Sequence, residues 1–156
     1  MKSESARIPL KNPGLTYGIR GASAMYIPEG YGTVFPYMIV DHADELTDFL
    51  VEVFGGNIEG KTVLPNGRVA NIRVRIGTST FMISQAGEGT MKAMPAAYYI
   101  YVDDVDRTFD KAIENGAQKI LEPTDMPYKD RQAGVTDVSG NSWWISRRLV
   151  DEPYDP

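Results

Sequence analysis

The hydrophobic positions of the chain follow two different periods, and each period predicts a different kind of element. Between residues 44 and 54 they recur every three or four positions, as in an amphipathic helix that packs on a core. Gly55-Gly56 follows and can end this helix, because glycine adopts a positive φ at little cost. The helical stripe consists of Leu46, Phe49, Leu50, Val53 and Phe54.

Segments rich in β-branched and aromatic residues, separated by turn residues, predict strands before and after this helix. The order is one strand, one helix and three strands, and it occurs twice along the chain. The first copy has predicted strands at residues 35–41, 57–64, 68–76 and 78–85. The second copy has predicted strands at residues 98–103, 119–123, 133–137 and 141–147, around a helix at residues 105–115.

The two copies align with each other at an offset of 62 residues (99 − 37), which places Tyr37 on Tyr99 and Ile83 on Ile145. We apply this single offset from the first strand to the last and interpret the chain as a duplicated βαβββ unit. Coincidental matching is the alternative. Further identical pairs at this offset are Val40/Val102, Asp41/Asp103, Asp44/Asp106, Asp48/Asp110, Ile58/Ile120, Thr62/Thr124 and Ser84/Ser146.

The last predicted hairpin carries the sequence D-R-x-x-x-V-x-D-x-x-G-N-x-W-W-I-S, from Asp130 to Ser146. This ending resembles that of the glyoxalase/bleomycin-resistance/dioxygenase superfamily, also called the vicinal oxygen chelate superfamily, and more narrowly its PhnB-like branch. The resemblance implies an α+β fold in which two βαβββ modules form a curved mixed sheet with a central cavity. Helices would cover the convex side of the sheet.

The predicted domain occupies residues 35–148, with its two repeats at residues 35–86 and 97–148. Residues 1–34, rich in Gly, Pro, Ser and Tyr, are interpreted as an N-terminal arm, either flexible or packed on a partner subunit. Residues 149–156 are interpreted as a loosely held C-terminal tail. A chain of 156 residues is long enough for one domain with a real core.

Composition excludes several classes of function. The net charge of −5 argues against a nucleic-acid partner, and the absence of cysteine removes disulfides, thiol catalysis and thiolate metal sites. No apolar run suits a signal peptide or a membrane span, so we expect a cytoplasmic protein without a membrane partner.

The resemblance implies that alternate residues of each strand face the cavity, because side chains alternate between the faces of a sheet. Aromatic rings there would stack on a flat compound or a cation, and the two arginines of one strand would pair with an anion. The alternative is that the rings pack on one another and the arginines reach solvent. The predicted ligand-binding residues are Phe35, Tyr37, Arg73, Arg75, Met82, Tyr99, Tyr101 and Trp144.

The resemblance also implies which positions of this chain match the metal ligands of the superfamily. In the superfamily these ligands are His, Glu or Gln at one position on each of four strands. We predict no metal and no cofactor, because the residues at those positions cannot usefully ligate a hard or borderline divalent ion. His42, the one histidine, follows the first strand and is interpreted as a solvated or capping residue. The four matching positions are Phe35, Met82, Ala97 and Trp144.

These features favour a metal-free protein that binds a small molecule, such as a bleomycin-resistance type of protein that sequesters an aromatic or charged compound. The alternative is a lyase, isomerase or oxygenase of the same superfamily with a non-standard active site that uses Tyr, Arg or Asp. Whether the protein is an enzyme stays open, and no catalytic residue is predicted. A third option is a structural or regulatory dimer.

Two clusters of charged residues are interpreted as structural. Asp130-Arg131 suits an ion pair or a loop anchor, and Asp103-Asp104 with Asp106 suits a strand end and a helix cap. The resemblance further implies a homodimer with the cavity near the subunit interface.

Overall fold

The computed structural model describes residues 26–89 and 91–154, which form two successive βαβββ modules. Residues 1–25 of the predicted arm lie outside the described residues. The first module consists of β1 (Tyr37–Val40), α1 (Ala43–Phe54), β2 (Asn57–Val63), β3 (Val69–Ile76) and β4 (Ser79–Gln85). The second consists of β5 (Ala97–Tyr101), α2 (Val105–Glu114), β6 (Gln118–Asp125), β7 (Asp130–Thr136) and β8 (Ser142–Arg148).

Each module forms its own four-stranded mixed sheet, in the orders β1-β4-β3-β2 and β5-β8-β7-β6. The first strand of each module is parallel to the last, and the other neighbours are antiparallel. The predicted α+β fold of two βαβββ modules is confirmed, with its strands divided between two sheets. In the described residues β1 and β5 are edge strands, each with one strand partner.

The internal repeat is visible in the register of the first and last strands of each module. Tyr37 pairs with Met82 in the first sheet, and Tyr99 pairs with Trp144 in the second. Each residue of the second pair lies 62 positions after its counterpart in the first pair. The predicted offset is confirmed for these strands.

The two middle strands follow a different offset. Val74 of β3 pairs with Phe81, whereas Val135 of β7 pairs with Trp143, so β3 and β7 are related by 61 residues (135 − 74). The second module has one residue less between the start of its helix and its second strand. It has one residue more between the paired residues Thr136 and Ser142 than the first module has between Arg75 and Thr80. The prediction of one offset throughout is therefore wrong for β2 and β3.

The two helices form where the sequence supplies an apolar face and suitable ends. The stripe of α1 is buried from Leu46 to Val53, and Gly55 ends the helix at φ 67°. In α2 the side chain of Asp104 accepts a hydrogen bond from the backbone N–H of Arg107 at 3.0 Å, as the interpretation of a helix cap requires. Neither helix of the described ranges is long and apolar enough to cross a membrane.

An aromatic cluster joins the two modules. Trp143 of β8 is fully buried and stacks on Tyr98, with their ring centroids 4.7 Å apart. The same indole lies 4.8 Å from the ring of Phe54 in α1 and 5.9 Å from that of Phe81 in β4. Because Phe54 and Phe81 belong to the first module, the burial of Trp143 holds the two modules together.

The motif between β7 and β8 supports this cluster. The buried carboxylate of Asp137 accepts hydrogen bonds from the indole N–H of Trp143 at 2.8 Å and from the backbone N–H groups of Ser139 and Asn141. The Asn141 side-chain amide donates to the same carboxylate and accepts from the backbone N–H of Ala96, just before β5. One carboxylate thus links the turn, the linker between modules and the central indole.

The substitution Asp137→Ala should destabilise the fold by about 3 kcal/mol or more, because it leaves several buried donors without an acceptor. Urea unfolding of the variant measures this loss. Asp48→Ala removes an exposed carboxylate of α1 and should change the free energy of unfolding by less than about 0.5 kcal/mol. Equal effects of the two substitutions would contradict the role assigned to Asp137.

Candidate functional site

Among residues 26–89 and 91–154, each sheet has one face covered by a helix and one face without a helix on it, which we call the open face. On the covered face the strand residues are buried, as Met38, Ile83 and Ile145 illustrate. The alternate residues form the open face, and large aromatic side chains stay accessible there. The exposed fractions of Tyr37, Tyr99 and Tyr101 are 52%, 47% and 58%.

The open face of the first sheet carries a row of three predicted site residues. Tyr37 pairs with Met82, and Met82 pairs with Arg73, so the three side chains lie side by side on β1, β4 and β3. The guanidinium of Arg73 extends over Gly60 of β2, where an added Cβ would lie 2.5 Å from Nη2. The absence of a side chain at Gly60 therefore makes room for the arginine.

The equivalent row of the second sheet is aromatic. Tyr99 pairs with Trp144, and Trp144 pairs with Gly134, which is the counterpart of Arg73 at an offset of 61. The indole of Trp144 lies across Gly134, since an added Cβ there would be 2.8 Å from Cζ3 of the ring. The duplicated unit therefore presents a cation on one sheet and an indole on the other.

Two predicted site residues are engaged by the chain that precedes β1. Arg75 donates hydrogen bonds to the carbonyl oxygens of Gly30 and Thr78 and lies 3.4 Å from the Glu59 carboxylate. Phe35 lies before β1, although the predicted strand begins there, and its ring packs edge-to-face on Tyr31 at 4.9 Å. The structure therefore brings Tyr37, Met82 and Arg73 together and leaves Arg75 and Phe35 in structural contacts.

A buried carboxylate organises the polar groups on the open face of the second sheet. Asp130 is fully buried and accepts hydrogen bonds from Arg148 at 3.1 Å, from the Tyr99 hydroxyl at 3.2 Å and from the Tyr154 hydroxyl. These contacts agree with the predicted structural role of Asp130. Its ion-pair partner is Arg148 and not the neighbouring Arg131. The neighbouring Arg131 instead bonds two surface carboxylates.

A buried amide extends this network. The side-chain N–H₂ group of Gln132 donates to the hydroxyls of Tyr99 and Ser146, both at 2.8 Å. Its carbonyl oxygen accepts from the Tyr128 hydroxyl at 2.8 Å. Gln132 and Tyr154 are not among the residues predicted from the sequence. Gln132 has one signal there, its place in the motif two residues after Asp130, and Tyr154 lies outside the motif.

The network keeps Asp130 charged. Burial by itself favours the neutral acid, but hydrogen bonds from Tyr154, Arg148 and Tyr99 outweigh it and hold the pKa of Asp130 below its ordinary value of 3.8. Burial raises the pKa of the Tyr99 hydroxyl. A carboxylate with a lowered pKa and three donors is a weak base, so the network is better suited to holding groups in place than to accepting a proton.

A cavity of about 640 Å³ lies at the junction of the modules, between the end of α1, the β3–β4 turn, β5 and the start of α2. Its floor is the aromatic cluster of Phe54, Phe81 and Trp143. Of the predicted ligand-binding residues, Tyr99 and Tyr101 line it. These two residues belong to the open face of the second sheet as well, whereas the other predicted residues lie on the open faces or before β1 and do not line the cavity.

The positions that carry metal ligands in the superfamily do not suit a metal here. Met82 and Trp144 stand on the open faces, and Ala97 at the start of β5 offers no donor. In the described ranges no three His, Asp or Glu side chains lie close enough to hold an ion together. His42 is exposed at the start of α1, where its side chain makes no cap hydrogen bond.

The sequence matches the Glyoxalase/Bleomycin resistance protein/Dioxygenase superfamily over residues 33–145, which is most of the chain. The protein belongs to this superfamily. The superfamily identified from the motif around Trp143 is confirmed.

Solved structures share the fold. TioX from Micromonospora sp. ML1 is 25% identical, with a TM-score of 0.60 over 74% of this chain and 96% of its own. A PhnB protein from Bacillus cereus is 15% identical, with a TM-score of 0.59 over 74% and 99%. TnmS3, an antibiotic binding protein from Streptomyces sp. CB03234, is 22% identical, with a TM-score of 0.57 over 72% and 91%.

The lowered pKa of Asp130 predicts a specific dependence of stability on pH. In the unfolded chain this group titrates near 3.8, and in the fold it titrates lower. Its contribution is therefore complete above that value and is lost as the pH falls towards the folded pKa. The stability difference between wild type and Asp130→Asn should be constant from about pH 7 to about pH 5 and should shrink below about pH 4.

Urea unfolding at several pH values measures this difference. Asp48→Asn serves as the control, because this carboxylate is exposed on α1. A stability difference for Asp130→Asn that stays constant down to about pH 2 would show that its pKa is not lowered by folding.

Proposed function

We propose that this protein binds a flat aromatic small molecule that carries a charged group. The ligand lies on the open faces of the two sheets and binds without a metal ion. The observation that carries the proposal is the exposure of Tyr37, Tyr99 and Tyr101 on the open faces. Tyr99 and Tyr101 adjoin each other, and adjoining exposed rings mark binding surfaces more often than isolated apolar residues do.

The aromatic groups provide stacking surfaces. Tyr99 and Tyr101 lie on the same side of β5 with their ring centroids 5.3 Å apart, and the half-buried indole of Trp144 lies beside them on β8. Offset stacking on such rings favours planar ligands over aliphatic ligands of the same volume. The aromatic part of the ligand is therefore assigned to the second sheet.

Arg73 provides the charge. Its guanidinium makes one long hydrogen bond, 3.4 Å, to the backbone carbonyl of Glu59, and no carboxylate of the described residues lies within 4 Å of it. A guanidinium with free donors pairs readily with a carboxylate, a sulfonate or a phosphate. An anionic group on the ligand would meet this arginine on the first sheet.

The comparison with TnmS3 supports the same kind of function. That protein is an antibiotic binding protein with the fold of this chain, so the scaffold is compatible with the sequestration of a small molecule. The absence of suitable donors at the superfamily's metal positions supports binding without an ion.

We also propose that the functional unit is a homodimer in which the open faces of two chains enclose the ligand. The edge strands β1 and β5 each have one strand partner in the described residues, and unpaired edges are usually covered. Tyr37 lies on one of these edges and Tyr99 and Tyr101 on the other. Pairing of these edges between chains would join the two sheets and bury part of these rings, and β2 and β6 would remain as the outer edges.

A thermal-shift comparison of three probes tests the ligand class. Naphthalene-2-carboxylate should raise the melting temperature more than naphthalene-2-methylammonium, because Arg73 repels the cation, and more than cyclohexanecarboxylate, which cannot stack. Treatment with EDTA should leave the shift unchanged. The smallest shift for the naphthalene carboxylate would contradict the proposed class.

Two variants locate the site. Arg73→Gln should weaken the binding of naphthalene-2-carboxylate about tenfold, and Trp144→Ala should weaken it by a similar factor at a stability cost of about 2 kcal/mol for a half-buried ring. Lys119→Gln removes one charge from the other side of the second sheet, since Lys119 pairs with the core residue Val135. This control should bind as wild type does; a matching loss would mean a general charge effect.

Light scattering at micromolar concentration tests the assembly. The proposal predicts about twice the chain mass of 17.3 kDa. A mass of one chain, both with and without naphthalene-2-carboxylate, would reject the dimer while leaving the ligand surface of each chain to be tested separately.

A further inference from the structure

The chain after β8 folds back onto the open face of the second sheet, contrary to the prediction of a loosely held tail. The guanidinium of Arg148 donates hydrogen bonds to the carbonyl oxygens of Glu152 at 3.1 Å and Pro153 at 3.3 Å. These contacts bring Tyr154 over Arg148, with the guanidinium carbon 4.2 Å from the centre of the ring.

The hydroxyl proton, the hydroxyl oxygen and the ring face of Tyr154 each have a partner on the second sheet. Its hydroxyl donates to the buried carboxylate of Asp130. The Tyr101 hydroxyl lies 2.7 Å away and acts as the donor in that pair, because the one proton of Tyr154 is already given to Asp130. The face of the ring lies on the Arg148 guanidinium.

Two of the groups that contact the phenol, Asp130 and Arg148, are held in place by other contacts. Asp130 is fully buried and also accepts from Tyr99 and Arg148, and Tyr99 is fixed in turn by Gln132. The guanidinium of Arg148 also donates to the carbonyl oxygen of Tyr128, so an acceptor and a cationic surface would remain in position if Tyr154 moved away. Recognition groups that are held in advance lose little entropy when a ligand arrives.

Tyr154 itself is suited to leaving. Its side chain remains 47% exposed, and it lies in a short segment without helix or strand. The hydrogen bond to Asp130 raises the pKa of the Tyr154 hydroxyl, so the group that occupies the site is a neutral phenol. An external phenol would make the same contacts, and the balance would depend on its concentration and its other contacts.

We propose that the groups around Tyr154 form a phenol-binding subsite, which Tyr154 occupies in cis and from which a phenolic ligand displaces it. The proposal rests on the proposed function, because Tyr99 and Tyr101 belong to both surfaces, and it narrows the ligand to aromatic compounds with a free hydroxyl. The tail acts as an internal competitor that a suitable ligand must outcompete.

Titration with p-cresol, which is the isolated side chain of tyrosine, tests the subsite by NMR. p-Cresol should bind Tyr154→Ala at least about tenfold more tightly than it binds wild type, because the internal competitor is gone. It should also raise the melting temperature of the variant more than that of wild type. Toluene should bind the variant at least about tenfold more weakly than p-cresol, since it offers Asp130 no proton.

Second substitutions keep the test specific. Adding Tyr101→Phe or Asp130→Asn to Tyr154→Ala should in each case reduce the affinity for p-cresol. If the variant with Asp130→Asn does not fold, the variant with Tyr101→Phe still tests the subsite. Equal affinity of wild type and Tyr154→Ala for p-cresol, or no preference for p-cresol over toluene, would overturn the subsite.

The naphthalene probes separate this proposal from the proposed function. If naphthalene-2-carboxylate binds wild type through Arg73 while p-cresol shows no preference for Tyr154→Ala, the subsite is wrong and the binding function stands. If p-cresol prefers the variant while the naphthalene probes fail, the subsite stands and the wider ligand surface is wrong.

Discussion

The hydrogen bond from the Trp143 indole to the Asp137 carboxylate is the contact on which the arrangement of the two modules depends. A tryptophan can be fully buried between two modules only if its N–H finds an acceptor, because an unpaired buried donor is costly. Asp137 supplies that acceptor and also shapes the turn before β8, while Asn141 connects the turn to the linker before β5. The conspicuous motif of the sequence is therefore a structural device that sets the position of both sheets, and with them the proposed ligand surface.

Adjacent residues on one strand serve the core and the site. Trp143 points into the aromatic cluster, and Trp144, one residue later, lies on the open face across Gly134. The duplicated unit keeps its backbone plan but changes the side chains of this row, so Arg73 stands in the first sheet where Gly134 stands in the second. Duplication thus produced two similar surfaces of different chemistry, one cationic and one aromatic, and such a pair suits a ligand with a charged end and a planar body.

Much of the fold follows from local patterns, whereas much of the site does not. The helix stripes, the period of two in the strands and the Asp104 cap depend on neighbouring residues, and the sequence predicts them well. The engagement of Arg75 by Gly30, and the capture of Tyr154 by Asp130, join segments far apart in the chain that have no periodic pattern. The change of offset in the middle strands begins where α2 is two residues shorter than α1 and the connection after it is one residue longer. Differences of this size leave no signal in composition.

The central claim is that the open faces of the sheets, and not the junction cavity or the helices, bind an aromatic ligand without metal. Amide chemical-shift mapping of EDTA-treated protein with naphthalene-2-carboxylate tests it most directly. We expect the largest changes on β1, β4 and β8 around Tyr37, Met82 and Trp144, with Arg73 on β3, because these residues do not line the junction cavity. Changes confined to α1, α2 and the β3–β4 turn, or binding that disappears with EDTA and returns with a divalent ion, would contradict it.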